Sequence, residues 1–410
     1  MKVLLIVFIA GLALAGCAGG VPDASDRQPE ATASQSGGGA SPASTADSTE
    51  QPTAAPGESL VFPPAGAARE FTTDFTKHSV DYSEILSGGP PKDGIPAIDD
   101  PSFVTADEAD EWLAPTEPVI QFQLGAEARA YPLQVLIWHE IVNDTVAGVP
   151  VLITFCPLCN TAIAFERTVE GRTLDFGTTG RLRYSNLIMY DRQTETWWQQ
   201  ASGEAIVGEF TGTQLDFLAA PIVAWQDFQA SFPQGQVLSR ETGHNRPYGQ
   251  NPYGGYDDIN RSPFLYRGPE TPDQLSAMAR VLAVEINADA VAFPYDTLAE
   301  RRVVNAVVGG EPIVVFWQAG TASALDTGQI ADGRDVGSAT AFSPLVDGDE
   351  LLFGHTPDGI GDEQTGSTWD LFGRAIEGPL RGRQLVPIVG VNHFWFSWVA
   401  FKPETRVFQP

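Results

Sequence analysis

The sequence predicts a mainly β fold with short helices, built from two tandem, diverged copies of one β-rich sandwich or barrel-like unit. An α+β arrangement is the second option. An internal repeat predicts the two copies, and short strand-like runs between regular turn signals predict the β class. With 43% hydrophobic residues and nine tryptophans in the chain, there is enough apolar material for one large core or two smaller ones.

The internal repeat consists of two matched blocks that occur in the same order. Residues 119–162 align without a gap onto 281–324, and residues 203–237 align onto 373–407. Two ordered matches are hard to obtain by chance. We therefore predict a first copy at 117–240 and a second, degenerate copy at 279–410.

Local patterns assign the elements of the first copy. Residues 119–124 read as a strand, and residues 132–139, which open with proline, as a short helix. A second short helix is predicted at 224–232, where Trp225, Phe228 and Phe232 are spaced for one face. Three hairpins are expected at 141–155, 161–176 and 187–200, turning at Ala147-Gly148, Glu170-Gly171 and Gln193-Thr194.

The N-terminus reads as an export signal. Residues 1–17 combine a positive start with a short apolar run, and the small residues before Cys17 resemble the lipobox of bacterial lipoproteins. An ordinary cleaved signal with a chance cysteine is the alternative. Residues 18–57 have the composition of a disordered tether, and 58–116 are expected to form an extension that packs on the body. These features predict an extracytoplasmic protein in the cell envelope, anchored through a lipid on Cys17 to the inner or the outer membrane.

The charge of the chain limits its partners. A formal net charge of −28 argues against nucleic acid and anionic lipid as partners of the folded body. The expected partners are therefore the membrane, through the lipid alone, and an unknown small molecule or envelope component.

Two further cysteines form a CxxC pair that only the first copy contains. Because the chain has three cysteines and Cys17 is assigned to the lipid, Cys156 and Cys159 are the remaining thiols. The second copy carries no equivalent of this pair or of the nearby histidine: the positions of His139, Cys156 and Cys159 are taken by Arg301, Gln318 and Thr321. Residues that both copies keep serve the shared fold, so residues confined to one copy are candidates for chemistry.

The CxxC motif permits several chemistries. Strand-like residues follow it, unlike the helix of a thioredoxin-type site, and Asn160 stands where a haem-c site needs histidine. A half-knuckle for zinc or copper would take Cys156, Cys159 and His139 as ligands, with His244 as a further candidate. The same three residues are the candidates for a catalytic role, which is itself unknown. A Cys156–Cys159 disulfide, inert thiols, and a simple hydrogen-bonded His139 at a helix end are the alternatives.

A connector rich in glycine and tyrosine, residues 241–278, separates the copies. It has too much Gly, Pro and Asn for regular structure, yet it contains the large side chains of Tyr248, Tyr253 and Tyr256. It is either a lid over a pocket or a linker packed against both copies. Arg183 and Asn186 join the three tyrosines as candidates for lining a ligand pocket.

Several motifs together carry a resemblance to a known family. They are DGIPAID at 93–99, RAYPL at 129–133, HEIVND at 139–144, FCPLCNTAIAF at 155–165, NLIMYDRQTE at 186–195, and the connector pairs Thr242-Gly243, Tyr248-Gly249 and Pro252-Tyr253. In these motifs the chain resembles the exported proteins of domain-of-unknown-function family 3179, from about Asp93 onward. The resemblance implies one functional unit around His139 and the two cysteines. It implies no reaction.

The leading hypothesis is a membrane-anchored lipoprotein whose first copy holds a metal-binding or redox-active thiol site. The alternative is a non-catalytic module that binds a ligand or an envelope partner through the aromatic connector. A hydrolase with Cys156 as nucleophile and His139 as base is permitted by residue type, but no oxyanion loop is identifiable.

Overall fold

The computed structural model describes residues 62–409, and all of them belong to one compact unit. The predicted signal peptide, the lipidation site Cys17 and the tether lie outside the described residues. The described part is mostly β with a few short helices, so the predicted fold class is confirmed.

The N-terminal segment adds strands to the sheets of the first half. Its elements are α1 (Ala67–Glu70), a 3-10 turn (Tyr82–Glu84), β1 (Ile85–Ser87), β2 (Phe103–Thr105) and α2 (Ala106–Asp110). A capping box, in which Thr105 and Glu108 exchange hydrogen bonds, starts α2. The Ile98 backbone also pairs with that of residues 141–143.

The first half contains fourteen strands and two helices. They are β3 (Pro118–Leu124), β4 (Glu127–Pro132), α3 (Leu133–His139), β5 (Ile141–Val146), β6 (Val149–Cys156), β7 (Thr161–Glu166), β8 (Thr168–Val169), β9 (Arg172–Thr173), β10 (Phe176–Arg183), β11 (Asn186–Asp191), β12 (Trp197–Gln199), β13 (Ala205–Val207), β14 (Phe217–Leu218), β15 (Ile222–Ala224), α4 (Trp225–Ser231) and β16 (Gln236–Leu238).

The second half, after a connector without helix or strand in the structure, has the remaining elements. They are β17 (Arg280–Ile286), β18 (Asp289–Pro294), α5 (Tyr295–Arg301), β19 (Val303–Val308), β20 (Glu311–Gln318), β21 (Ser338–Ser343), β22 (Leu345–Val346), β23 (Asp349–Glu350), β24 (Phe353–Thr356), β25 (Gly359–Asp362), β26 (Thr368–Trp369), β27 (Ala375–Glu377), β28 (Val386–Ile388), β29 (Gly390–Phe394), α6 (Trp395–Val399) and β30 (Arg406–Val407).

Three sheets of the first half have counterparts in the second. The order β15-β3-β4-β16 corresponds to β29-β17-β18-β30, β14-β7-β6-β5 to β28-β21-β20-β19, and β10-β11-β12-β13 to β24-β25-β26-β27. The N-terminal strands β2 and β1 extend the first and third of these sheets. The duplication itself stays a prediction, and these matching strand orders are the structural observations that support it.

The predicted elements agree with the structure except in one hairpin. The turn at Glu170-Gly171 is present, but it joins only the two-residue strands β8 and β9. The longer strand β7 instead pairs with β6 and β14. Its buried side chains are thereby placed in the sheet that carries the cysteines, a long-range pairing that local turn signals do not encode.

The halves share their hydrophobic cores. One cluster combines Phe155 and both cysteines with Phe394 and Phe396 of the second half. Another packs Trp225 and Phe228 of α4 against residues of β20 and β21. Burial of these large side chains across both halves makes the second half a structural partner of the CxxC region.

Candidate functional site

The CxxC motif forms the tight connection between two adjacent antiparallel strands. Strand β6 ends at Cys156, a 3-10 turn follows at Pro157–Cys159, and β7 begins at Thr161, which pairs with Cys156. Pro157 suits the first position of the turn because its missing N–H would be unpaired there. Asn160 then adopts φ 50°, a left-handed conformation that asparagine tolerates. Both cysteines are free thiols and are buried.

Both thiols contact one backbone carbonyl. The Sγ atoms of Cys156 and Cys159 lie 3.8 and 3.4 Å from the carbonyl oxygen of Ser185. Since a carbonyl oxygen only accepts, each thiol S–H donates to it. The structure therefore brings the two sulfurs together under one polar group.

The Ser185 carbonyl is held at the tip of the β10–β11 hairpin. Tyr184 and Ser185 have φ values of 55° and 65°, which a two-residue hairpin turn of this hand requires and which are costly for residues other than glycine. The Ser185 hydroxyl donates to the carbonyl oxygen of Phe264 in the connector. The connector thus helps to fix the turn that faces the thiols.

Burial and neighbouring groups keep the Cys156 thiol protonated. Burial raises its pKa well above the usual value, and Cys159 and then Glu140 raise it further. The backbone N–H of Leu187 acts in the opposite direction. A neutral thiol is therefore the resting form, and a nearby proton acceptor is needed to make it a nucleophile.

The buried carboxyl group of Glu140 lies near Cys156. It influences Cys156 electrostatically and has no hydrogen-bond partner in the part of the chain that the structure describes. Burial raises its pKa to about 8. The carboxyl group therefore changes protonation state close to neutral pH, as a general base must.

Comparison of Glu140 with Arg302, its aligned residue in the second half, separates the role of its backbone from that of its side chain. Its backbone ends α3 in a left-handed conformation with φ 58°, and Arg302 ends α5 in the same way with φ 66°. In both halves the carbonyl accepts a hydrogen bond from β6 or β20, at Phe155 and Trp317. The left-handed cap is thus common to both halves, whereas the buried carboxyl occurs only beside the thiols.

His139 is bonded to groups other than the thiols. Its Nδ1 lies 2.7 Å from the carbonyl oxygen of Pro96, so Nδ1 carries the proton. Its Nε2 accepts from the Tyr248 hydroxyl at 2.7 Å, with Thr242 Oγ1 at 3.4 Å. Burial lowers the pKa of the ring to about 4, so the imidazole is neutral at pH 7.

The predicted metal ligands are therefore not assembled into one group. Among residues 62–409 no cluster of three or more His, Cys, Asp and Glu side chains could hold a metal ion. The His244 ring lies beside that of His139, tilted by 49° with 5.5 Å between ring centroids, and the His244 backbone N–H donates to Thr242 Oγ1. Binding of zinc or copper stays a prediction, and the structure places its candidate ligands as two separate pairs, the two thiols and the two histidines.

The connector covers the CxxC turn with its tyrosines. The Tyr256 hydroxyl donates to the carbonyl oxygen of Leu158 at 2.9 Å and accepts from the Phe264 backbone N–H. Burial raises the pKa of Tyr253, and Glu140 and Cys156 raise it further, so this phenol stands beside the same groups. Tyr248 is held by His139 and Thr242. All three tyrosines thus face the first half.

The remaining pocket candidates make structural contacts. Arg183 pairs with Glu84 at 2.6 Å and stacks on Tyr184. The buried Asn186 side chain bonds Gln199 and Gln200 at 2.6 and 2.8 Å. Each of these two side chains is held by contacts within the protein.

From the sequence, Glu140 and Ser185 are only two of several polar residues that could line a pocket, and neither they nor Leu187 are predicted to act beside the thiols. The sequence does contain a signal for Glu140: the aligned residue in the second copy is Arg302, so the carboxyl group is confined to the first copy, as the two cysteines are. The contributions of Ser185 and Leu187 come from backbone atoms, which leave no mark in residue type.

The fold and the site define a mainly β protein that encloses two neighbouring thiols beside a buried carboxyl group. The chain belongs to the family described as protein of unknown function (DUF3179), whose model matches residues 92–405. No curated protein and no solved structure matches the chain. Within residues 62–409, every helix is too short or too polar to cross a membrane.

Proposed function

We propose that Cys156 and Cys159 form a dithiol–disulfide couple in an extracytoplasmic lipoprotein, with Glu140 as the proton acceptor. The observation that carries this proposal is the contact of both sulfurs with one carbonyl oxygen, at 3.8 and 3.4 Å. The confinement of both thiols and the carboxyl to the first half supports it. The engagement of His139 by Pro96 and Tyr248 favours thiol redox chemistry over a Cys2His metal site.

The reaction is exchange with a small disulfide, RSSR. Glu140 takes the proton of Cys156, and the thiolate attacks one sulfur of RSSR, which forms a mixed disulfide and releases RS⁻. Cys159 then attacks the mixed disulfide, forming the Cys156–Cys159 bond and releasing the second RS⁻. Two electrons pass from the protein to RSSR, and the two thiol protons leave on two RSH molecules.

Burial of the two thiols under the connector favours small molecules as reactants. Cys156 and Cys159 are 2% and 0% exposed, so a folded protein substrate has no direct approach to them. Entry requires a local opening of the connector around Tyr253 and Tyr256. A low-molecular-weight disulfide needs the smallest opening and is the expected oxidant.

The couple can be tested by mass spectrometry of the native protein. Full-length protein carrying Cys17→Ala, which leaves these two thiols alone, is reduced and then exposed to hydroxyethyl disulfide. We expect both alkylation sites to disappear together as an internal disulfide forms. Cys159→Ser, which lacks the resolving thiol, should stop at the mixed disulfide.

Two outcomes would contradict the proposal. In the first, the native protein keeps both thiols reduced after exposure to hydroxyethyl disulfide, whereas the same chain unfolded in urea forms the disulfide completely. The other is a stoichiometric metal ion that is released only when the two thiols are modified, since this would assign the pair to metal binding.

The location of the protein follows from its N-terminal sequence. Lipid attachment at Cys17 would anchor it to a membrane and place the thiols outside the reducing cytoplasm, where a disulfide persists. In cells given a labelled fatty acid, the parent protein and the matched control Cys156→Ala should carry the label, and Cys17→Ala should not. A parent protein without label would contradict the lipid anchor.

A further inference from the structure

A cleft of about 450 Å³ lies between the two halves, outside the CxxC region. Its walls include β14 in the first half and β28 in the second. These strands are aligned positions of the repeat, so that Phe217 and Leu218 correspond to Pro387 and Ile388. The pairing of the halves therefore creates the cleft, which has the size of a small-molecule site.

The lining of the cleft is mainly apolar and carries no charged side chain. Its apolar residues include Phe122, Leu124, Phe217, Phe342, Phe372 and Val389. A charged ligand would lose its hydration here and gain no counter-charge. The cleft therefore suits a neutral ligand with large apolar parts.

One buried polar group in the cleft has no partner. Gln121 is only 7% exposed and lines the cleft, and its side-chain amide makes no hydrogen bond with any described residue. The other glutamines at the cleft are engaged, since Gln123 donates to Gly125 and Gln384 to Phe372. The aligned position in the second half is Ala283, so the amide is a feature of the first half alone.

We infer that this cleft is a binding site for a neutral, mainly apolar small molecule with one hydrogen-bonding group that pairs with Gln121. The apolar walls supply the affinity by removing the ligand from water. The Gln121 amide fixes its orientation, because a ligand without a matching group would bury the amide unpaired.

Two fluorescent probes with the same ring system test both parts of the inference. N-phenyl-1-naphthylamine is neutral and carries one N–H that the Gln121 side chain can accept. Its sulfonated analogue, 8-anilino-1-naphthalenesulfonate, differs by a negative charge. We expect saturable binding of the neutral probe to the full-length protein and binding of the sulfonate at least tenfold weaker.

Two variants locate the probe. Gln121→Leu should weaken binding of the neutral probe about fivefold, which corresponds to one hydrogen bond. Ala219→Leu, which adds bulk to the cleft wall in the loop before β15, should abolish binding. Gln236→Leu, on an exposed position of β16 in the same sheet as β3, is the matched control and should bind as the parent does.

Near-UV circular dichroism verifies that each variant is folded. The inference is overturned if the neutral probe shows no saturable binding, if both probes bind equally, or if Gln121→Leu binds like the parent. Because none of these readouts involves the thiols, they are independent of the redox proposal.

Discussion

Replacing Glu140 by glutamine is expected to raise the stability of the protein and to slow its thiol chemistry at the same time. The side chain keeps its shape but can no longer ionise. In the native protein burial raises the pKa of Glu140 to about 8, from an ordinary value of 4.5. The carboxyl is thus more costly to ionise in the folded state than in the unfolded state.

The sign of the pH dependence follows from this order of pKa values. The unfolded chain releases the proton near pH 4.5, whereas the folded chain keeps it until about pH 8. The contribution of Glu140 to the free energy of unfolding is therefore greatest below pH 4.5, and it falls as the pH rises from 4.5 to 8. Each pH unit in this window costs about 1.4 kcal/mol.

Glu140→Gln removes that cost. At pH 7 the free energy of unfolding should rise by up to about 3 kcal/mol, less any cost of burying the amide. Urea unfolding at pH 5, 7 and 8 measures it, and the gain over the parent should grow with pH. An unchanged difference between parent and variant across these pH values would contradict the raised pKa.

The same variant separates the chemistry from the fold. Without a carboxylate beside Cys156, oxidation by hydroxyethyl disulfide at pH 7 should slow by about tenfold or more. Glu117→Gln is the matched control, because Glu117 is also buried but is bonded to Gln134 and Ala114. It should leave the oxidation rate unchanged. If both variants oxidise at the parent rate, Glu140 is not the proton acceptor.

Much of the fold could be predicted because its signals are local. The strand at Pro118–Leu124 and the helix at Trp225–Ser231 follow from periodicity within one element. The Ala147-Gly148 turn was readable from its glycine, which readily adopts the positive φ of 80° found here, whereas Ala147 adopts φ 50° with no signal in its residue type. The partner of β7 was not readable, since pairing depends on the whole sheet.

The site was predictable only in part, for a related reason. Spacing is compatible with Cys156 and Cys159 lying together, because a CxxC motif in a turn between two strands brings its two ends close. Spacing does not indicate where the ring of His139 points, and the structure directs it to Tyr248 of the distant connector. The neighbouring Glu140, one residue further, is the side chain that influences Cys156.

Asp257 is the second residue whose replacement should have a large effect, because it holds the connector to the second half. Its side chain is fully buried and pairs with Arg280 and Arg334. Burial alone acts to raise the pKa of Asp257, but Arg280, Ser323 and Arg334 together lower it. The group is therefore a charged anchor in a buried network.

Asp257→Asn keeps the shape of this anchor and removes its charge. Arg280, whose side chain is 12% exposed, is then left without a counter-charge and beside a second arginine. Removing one partner of a buried pair costs about 3–5 kcal/mol, so urea unfolding should show a loss of this size. Asp326→Asn is the matched control, because Asp326 pairs with Arg334 where that arginine is 46% exposed. Its loss should stay below about 1 kcal/mol.

The ion pairs of Asp257 also control how easily reactants reach the thiols. Asp257 directly follows Tyr256, whose hydroxyl holds the carbonyl of Leu158 in the CxxC turn. Loosening Asp257 should let the connector open more often, so the thiols of Asp257→Asn should react faster with hydroxyethyl disulfide under native conditions. Asp326→Asn should react like the parent. A variant that loses stability but keeps the parent rate would mean that reactants reach the thiols by a route other than the connector.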